Sequence, residues 1–372
     1  MSFTAKAIKK LGLGDAAGSL LAPLAKDRTP LPDPEAARAL LLGLRPDRGA
    51  SALAAETGSA ASADFDVCVI IPVYNAAPYL EECLQSVLTQ RTALRLQIIA
   101  VDDGSLDGSP AILDAVRDAR FTVVHQENRG AAAARNRGLA LCRARYILFL
   151  DADDALLPDG LDGLVRCAEE QDAAIVEAGY TTVDAEGHVL RRFSHAAGPM
   201  DPRACTGFPH GKLFRADQFS RVRFPEGYLF EDSVLAQLVY PLAVSRGDRA
   251  VGLDTQLLRF RIHRQNTTTR NRVSPGSIDT LWVTLSLARD RERLGLADDQ
   301  AYYEYLLGMV SLSLRRTELL GEEVRRAIFV CFRAFLLGRF DAFSTERPAW
   351  RVLEQAVRDG DYGACRLFSG LH

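Results

Sequence analysis

No Cys-x-x-Cys pair occurs among the seven cysteines, which stand at Cys68, Cys83, Cys142, Cys167, Cys205, Cys331 and Cys365. Their odd number and wide scatter argue against a disulfide framework or a zinc site. They fit reduced thiols filling the core of a cytosolic protein. No apolar stretch approaches the ~20 residues that span a bilayer as a helix. No G-x-G-x-x-G or G-x-x-x-x-G-K-[ST] follows the first apolar strand, so Rossmann dinucleotide and P-loop sites lack their fingerprint. No internal repeat is visible. Charge is nearly balanced: 45 Lys and Arg against 48 Asp and Glu give a formal net charge of −3. That argues against nucleic acid as a partner.

What is present fits a soluble globular protein, with 48% hydrophobic and 25% charged residues. At 372 residues the chain exceeds one simple core, so one large domain plus extras is expected. The first 64 residues read as an appendage. "MSFTAKAIKKLGLGDAAGSLLAPLAK" places Lys6, Lys9 and Lys10 before an apolar tract broken by Gly and Asp, a poor signal peptide. It reads as a surface helix or tail, or else as a weak interfacial anchor. "ARALLLGLRP" predicts one short helix after Pro34, and "GASALAAETGSAASAD" a linker.

From residue 66 strands and helices alternate. Strands are expected over 66–75, 95–105, 121–126 and 145–151, and helices over 77–90, 109–118 and 128–144. These strands are continuous apolar runs, the mark of a parallel sheet covered on both faces. "AAIVEAGYTTVDAEGHVLRR" (173–192) predicts two strands around a turn, and 193–225 reads as irregular. A helix over 231–244 and a strand from 255 follow. Beyond 277 the chain is helical. One helix there is apolar over a wide face, with Val324, Ile328, Cys331 and Phe335 flanked by Phe329, Phe332 and Leu336. That face either packs inside the protein or meets a membrane surface or another subunit.

In open parallel sheets ligands bind beyond the carboxyl ends of the strands. Three strands end in polar groups here: Pro72-Val73-Tyr74-Asn75, Asp102-Asp103-Gly104-Ser105 and Asp151-Ala152-Asp153-Asp154. Capping explains a lone aspartate, such as Asp107, better than it explains three such ends. The last group sets three carboxylates within four positions, where they repel unless something positive joins them. It is either a solvated strand end or the holder of a cation. Carboxylates suit the donors of a base or ribose, and a divalent ion on one or two of them would carry phosphates. Asp151 and Asp153, two apart, point the same way in an extended segment.

"VCVIIPVYN", "VDDGSLDGS" and "NRGAAAARNRGLALCRARYILFLDADDALLPDGL", in this order, resemble the family 2 glycosyltransferases of the GT-A fold over about 66–270. The resemblance implies an α/β, Rossmann-like, mostly parallel sheet flanked by helices, with a helical C-terminal region. The expected segments are an appendage over 1–64, a catalytic domain over 65–272 and the helical region over 273–372. It further implies that Pro72 and Tyr74 line the nucleotide base, that Asp103 with Asp102 hydrogen-bonds it, and that Arg135 lies near the nucleotide. Asp151 would face the ribose, Asp153 would bind Mn²⁺ or Mg²⁺, and Asp154 would lie toward the sugar. "GYLFEDSVLAQLVY" resembles the Glu-Asp element, making Asp232 the catalytic base, with Glu231 beside it at the donor sugar or acceptor; the alternative for Asp232 is an N-terminal helix charge. "GKLFRADQF" resembles a segment that often precedes that element. His263 and "RQNTTT" match a region that closes over the diphosphate, with His263 either a metal ligand or structural.

The implied reaction is sugar transfer from a nucleotide-sugar donor, of the UDP class, to a hydroxyl of a glycan or glycolipid, with inversion. Neither the Q-x-x-R-W element nor the membrane helices of processive members is found, so a non-processive bacterial type in polysaccharide or glycolipid biosynthesis is expected. The expected place is the cytoplasm, with peripheral attachment at the inner membrane face left open; oligomeric state is unread. Two other readings compete. A haloacid-dehalogenase-type phosphohydrolase fits Asp151-Ala152-Asp153 but leaves "VDDGS" unexplained. A non-catalytic nucleotide-sugar-binding subunit would keep the fold, and the intact carboxylates speak against it. An EF-hand from Asp151 fails at Leu156, where Gly is required.

Overall fold

The computed structural model describes residues 29–54, 63–158, 160–263 and 273–371. The chain divides into two compact units. One comprises Ala50–Arg264 and Ser286–Leu296; the other comprises Met1–Gly49, Gln265–Leu285 and Ala297–His372. The N-terminal tract read as a tail or anchor and the "RQNTTT" loop lie outside the described residues. The first described helix, α1 (Pro34–Leu44), starts where Asp33 Oδ1 accepts the amide of Glu35 at 2.8 Å, with Pro34 at its first position.

The larger unit is built on one sheet. Its elements run β1 (Phe65–Val73), α2 (Ala77–Leu88), β2 (Leu96–Asp102), α3 (Ser109–Ala115), β3 (Phe121–His125), α4 (Ala131–Leu141) and β4 (Ala144–Phe149). Then come β5 (Ala155–Leu156), α5 (Gly160–Glu170), β6 (Ala173–Val183), β7 (Val189–Phe193), β8 (Gly198–Met200) and β9 (Lys212–Arg215). A π-helical stretch (Leu235–Val239) leads into α6 (Tyr240–Ser245), and β10 (Arg249–Arg261) follows. The strand order is β3-β2-β1-β4-β9-β6-β10-β5, with β7 on β6 and β8 on β10. Strands β3, β2, β1 and β4 are parallel. Strand β9 is antiparallel to β4 and β6, while β6 and β10 are parallel.

Helices cover both faces of the parallel half, as continuous apolar strands require. Val67, Val69, Ile71 and Val73 share a core with Leu80, Cys83, Leu84 and Val87 of α2 and with Leu161 and Leu164 of α5. Ile70 points the other way, against Gly138 of α4. The α/β class and the helical C-terminal region are as expected; the sheet is parallel over β3-β2-β1-β4 as expected but mixed beyond it, where most pairs are antiparallel because short strands and hairpins extend it. One expectation fails. Residues 193–225 are not wholly irregular, because β8 and β9 lie there and β9 stands between β4 and β6. Four residues beginning with Lys and ending with Arg carry no periodic signal; pairing with neighbouring strands makes them a strand. The helix expected over 231–244 opens as a turn at Glu231 and Asp232 and widens to π geometry before α6.

The remaining helices are α7 (Asp279–Arg293), α8 (Gln300–Arg316), α9 (Glu322–Phe340), α10 (Arg351–Asp359) and α11 (Tyr362–Leu371). Within the smaller unit α9 packs on α1 and α8. Its apolar face is buried at Val324, Ile328, Phe329, Phe332 and Leu336, so the packing reading of that face holds for these residues. Arg45 donates to Asp279 at 2.8 Å and accepts from Trp282 Nε1 at 2.9 Å through its carbonyl. Among the described residues no helix is long and apolar enough to cross a membrane.

Candidate active site

The first two strand ends are tied together by their own polar groups. Asp103 donates its amide to the Val73 carbonyl at 2.8 Å, and Asn75 donates its amide to Ser105 Oγ at 2.9 Å. Asn75 has φ of +50°, a left-handed conformation that Asn tolerates better than most residues. Pro72 is the penultimate residue of β1, opposite Val101, and Tyr74 is exposed beyond it. The Asp103 carboxylate is buried and holds the loop before α4, accepting the amides of Arg129 at 2.9 Å and Gly130 at 2.7 Å and the Gln126 side chain at 2.8 Å. Asp102 accepts the Ser105 amide at 3.0 Å and faces His125 Nδ1 at 2.8 Å. The hydrogen bonds from Asp102 and Asp114 raise His125 above the ordinary histidine range.

The third strand end, past β4, joins the Glu-Asp element. Arg135 of α4 is buried and donates to Asp151 Oδ1 at 2.8 Å and to Glu231 Oε1 at 2.6 Å. Its guanidinium also lies 5.4 Å over the Phe224 ring. One cation thus links residues 96 and 16 positions away in the chain. Phe230, just before Glu231, has φ of +64°. Two of the three non-glycine residues with positive φ among those described, Asn75 and Phe230, therefore adjoin this site. Strained backbone of this kind persists where its surroundings over-determine it. Asp232 is half-buried in the turn, and its charge is felt by Lys212 and Tyr240.

The three carboxylates differ. Burial pushes the Asp151 carboxyl up, but the Arg135 charge outweighs it and leaves Asp151 below the usual range. Asp153 Oδ2 lies 2.9 Å from His263 Nε2, and the His263 ring packs 4.7 Å from Tyr79. Burial and the Asp151 charge hold Asp153 above the ordinary value. Asp154 is 1% exposed; its Oδ1 accepts the Arg261 amide at 2.8 Å, and its buried Oδ2 has no hydrogen-bond partner. Burial, then the charges of Asp153 and Asp151, push Asp154 well above the carboxylate range. Arg261 also bonds Glu82 at 2.6 Å and the Asp153 carbonyl at 3.2 Å.

Residues 68–226 match the family model "Glycosyl transferase family 2". Over these residues the chain is similar to the family 2 glycosyltransferases. Glycosyltransferase GlyG of Streptococcus pneumoniae serotype 4 is 32% identical over 48% of this chain and 65% of its own length. Succinoglycan biosynthesis protein ExoO of Rhizobium meliloti is 34% identical over 35% of this chain and 38% of its own. The chain thus spans less than two thirds of each. A crystal structure of S. aureus TarS 1-349 in complex with UDP-GlcNAc superposes with a TM-score of 0.49 at 17% identity, covering 80% of this chain and 92% of that one.

The same unit also holds groups that sequence reasoning missed. His210, in the loop before β9, is buried and sandwiched between Phe208 at 4.4 Å and Phe260 at 4.8 Å. Burial lowers its pKa to about 4, so the imidazole is neutral near pH 7. One ligating atom each of Asp151, Asp154 and His210 lies within 4.8 Å of the others. Next to it, Lys212 of β9 and Glu177 of β6 are directly opposed and paired at 2.8 Å, both fully buried. Lys212 also donates to the Phe208 carbonyl at 2.8 Å, fixing the loop that carries His210. A signal existed in "FPHGKLF": a histidine between an aromatic and a short strand that reaches the sheet.

Proposed function

We propose that the larger unit transfers a sugar from a nucleoside diphosphate sugar, of the UDP class, to a hydroxyl of a glycan or glycolipid, with inversion at the anomeric carbon. The observation that carries this reading is the buried Arg135 bridge from Asp151 to Glu231. It brings the carboxylates suited to a nucleotide sugar beside the turn that holds Asp232. Pro72, Tyr74, Asp102 and Asp103 are the base side of the pocket in this reading, and Asp151 the ribose side. Arg135 is a positioning residue whose charge keeps Asp151 ionised. Glu231 is held next to the reacting centre by the same guanidinium.

Asp153 and His263 are the residues we assign to a divalent ion, Mn²⁺ or Mg²⁺. A carboxylate oxygen and an imidazole nitrogen already converging at 2.9 Å are a donor pair that fits such an ion. When bound, that ion supplies Lewis-acid neutralisation of the charge on a departing diphosphate. Asp232 accepts the proton of the acceptor hydroxyl as it attacks. A turn at a helix start favours the carboxylate form and weakens the base; a closed, desolvated site strengthens it. The name of ExoO supports a place in polysaccharide biosynthesis. We place the reaction in the cytoplasm, with any membrane contact peripheral.

A screen of UDP-, GDP- and dTDP-sugars for metal-dependent diphosphate release tests the reading. With the donor found, Asp232→Asn is expected to lower transfer by about 10²–10⁴-fold, the range of a general base. Nucleotide binding by calorimetry should stay near the unmutated value. Full transfer in that variant would remove Asp232 from the mechanism, and binding without turnover in the unmutated protein would favour a non-catalytic subunit.

A further inference from the structure

Three of the eight large apolar side chains that stand exposed among the described residues meet at one place, the end of the β6–β7 hairpin. They are Val189 at 58%, Leu190 at 56% and Ile262 at 45%. Strand pairing brings them together. Val183, the last residue of β6, is buried and lies opposite Val189 of β7. On its other side its carbonyl accepts the Ile262 amide at 2.8 Å. Val189 and Ile262 thus flank Val183 across two strand spacings, roughly 10 Å. Leu190 is the extra residue of a bulge, because Val183 pairs with Val189 and Thr182 with Arg191. Exposed apolar side chains that adjoin one another mark a contact surface, whereas scattered ones do not.

Charge says what such a surface takes. Arg191 and Arg192 follow directly, both exposed, and neither pairs with a carboxylate among the described residues. Arg191 lies 4.5 Å over the Phe193 ring. Most acids nearby are committed. Asp184 accepts the amides of Glu186 and His188 at 3.1 and 2.8 Å and faces the His188 ring at 3.1 Å. Glu82 pairs with both Arg259 and Arg261. That leaves Glu186 against two free guanidinium groups. A strand from a second copy is the poorer fit. Among the described residues β7 pairs only with β6, so its outer edge is open. A bulge and two adjacent arginines are the features that keep another strand off such an edge.

We propose that the end of this hairpin is a membrane-contact surface for anionic phospholipid. Val189, Leu190 and Ile262 enter the headgroup boundary, and Arg191 and Arg192 meet the lipid phosphates. The surface faces a useful way. Strands β4 and β6 are each antiparallel to β9, so their carboxyl ends lie along one edge of the sheet. The hairpin therefore projects from the edge at which Asp151 stands. A lipid-borne acceptor hydroxyl is delivered to that edge when the hairpin is seated. Only this last step rests on the transferase reading; the surface itself does not.

Co-sedimentation of the full chain with vesicles tests the surface, using phosphatidylcholine alone and phosphatidylcholine mixed equally with phosphatidylglycerol. Binding to the mixed vesicles, weakened by high salt, is expected. Val189→Ser with Leu190→Ser should weaken it by about tenfold or more. Arg191→Gln with Arg192→Gln should weaken it by about fivefold per arginine at low salt and remove the preference for phosphatidylglycerol. All four side chains are exposed, so circular dichroism should show an intact fold in both double variants. Leu190→Trp gives an independent reading: its emission should shift to the blue on the mixed vesicles and be quenched by brominated acyl chains. No vesicle binding, or binding that both double variants keep, overturns the surface. Self-association that the Val189 and Leu190 substitutions abolish, without vesicle binding, overturns it too and assigns the hairpin to a second copy. A protein that binds vesicles as expected but turns over no nucleotide sugar keeps the surface and loses the transferase reading.

Discussion

The parallel half of the sheet and the mixed half obey different rules. In β2, β1 and β4 the buried middle of each strand carries no charged residue; charge stands near the starts, at Asp66 and Arg145, and at or past the carboxyl ends, at Asp102, Asp103 and Asp151. In β6, β9 and β10 the strands themselves carry buried charge: Glu177 in mid-strand, 1% exposed, Lys212 at the start of β9, 0%, and Arg261 at the end of β10, 4%. The first half is a platform that aims groups from its edge. The second holds the buried Lys212–Glu177 pair and the buried Arg261 guanidinium and sets a histidine close to each. His210 stands two residues before Lys212, and His263 two residues after Arg261. The difference says where a substitution should act on stability through packing and where through charge.

The largest effect should come from breaking the charge pair in the mixed half. Lys212→Met leaves Glu177 buried without its cation, which costs about 3–5 kcal/mol for a broken buried pair. Denaturant unfolding measures it. Adding Glu177→Gln should recover most of the loss, since the Gln carbonyl can still accept from Thr206, which bonds Glu177 at 3.1 Å through its amide. Equal losses in the single and double variants would mean that Lys212 acts by packing alone, and the contrast between the halves would fail.

A packing test in the parallel half comes next. A methyl added at Gly138 would stand 2.4 Å from Ile70 Cγ2, inside any real contact distance. Ile70 is fully buried in β1 and has nowhere to retreat. Gly138→Ala should therefore cost about 1–3 kcal/mol by overpacking, against the ~1 kcal/mol that Ala gains over Gly in a helix. Pairing it with Ile70→Val removes one methyl and should restore part of the loss. If Gly138→Ala alone stabilises the protein, α4 can shift on β1 and the parallel half is less rigid than its packing implies.

The same contrast explains what could be read from the chain. Strands β1, β2 and β4 are runs such as "VCVIIPV" whose composition alone demands burial on both faces, so they and their polar ends were legible. Strand β9 was not. "KLFR" looks like a surface turn until Glu177 is known to lie opposite Lys212, and that pairing spans 35 residues. His210 was missed for the same reason. Its neighbours Phe208 and Phe260 come from a loop and a strand far apart in sequence, and only the folded sheet makes them a clamp. Arg135 was noticed as a charge near a nucleotide. Its two ion pairs became visible only once the Glu231 turn had been brought to Asp151.

The smallest expected effect lies at the edge of the parallel half, where charge meets solvent. His125 ends β3, with Nδ1 2.8 Å from Asp102 and Nε2 3.2 Å from Asp114. Both hydrogen bonds favour the imidazolium, so the folded pKa lies above the unfolded value of 6.5. A raised histidine stabilises the fold fully below the unfolded pKa, and that contribution fades as pH rises through the folded one. Its side chain is 42% exposed, so solvent screening keeps the gain small. NMR titration of the His125 ring should give a midpoint above 6.5, and Asp102→Asn should move it down. A midpoint at or below 6.5 in the unmutated protein would mean that Asp102 spends its charge on the Ser105 amide and the loop. The parallel edge would then be held by backbone hydrogen bonds alone, and charge pairing would belong to the mixed half only.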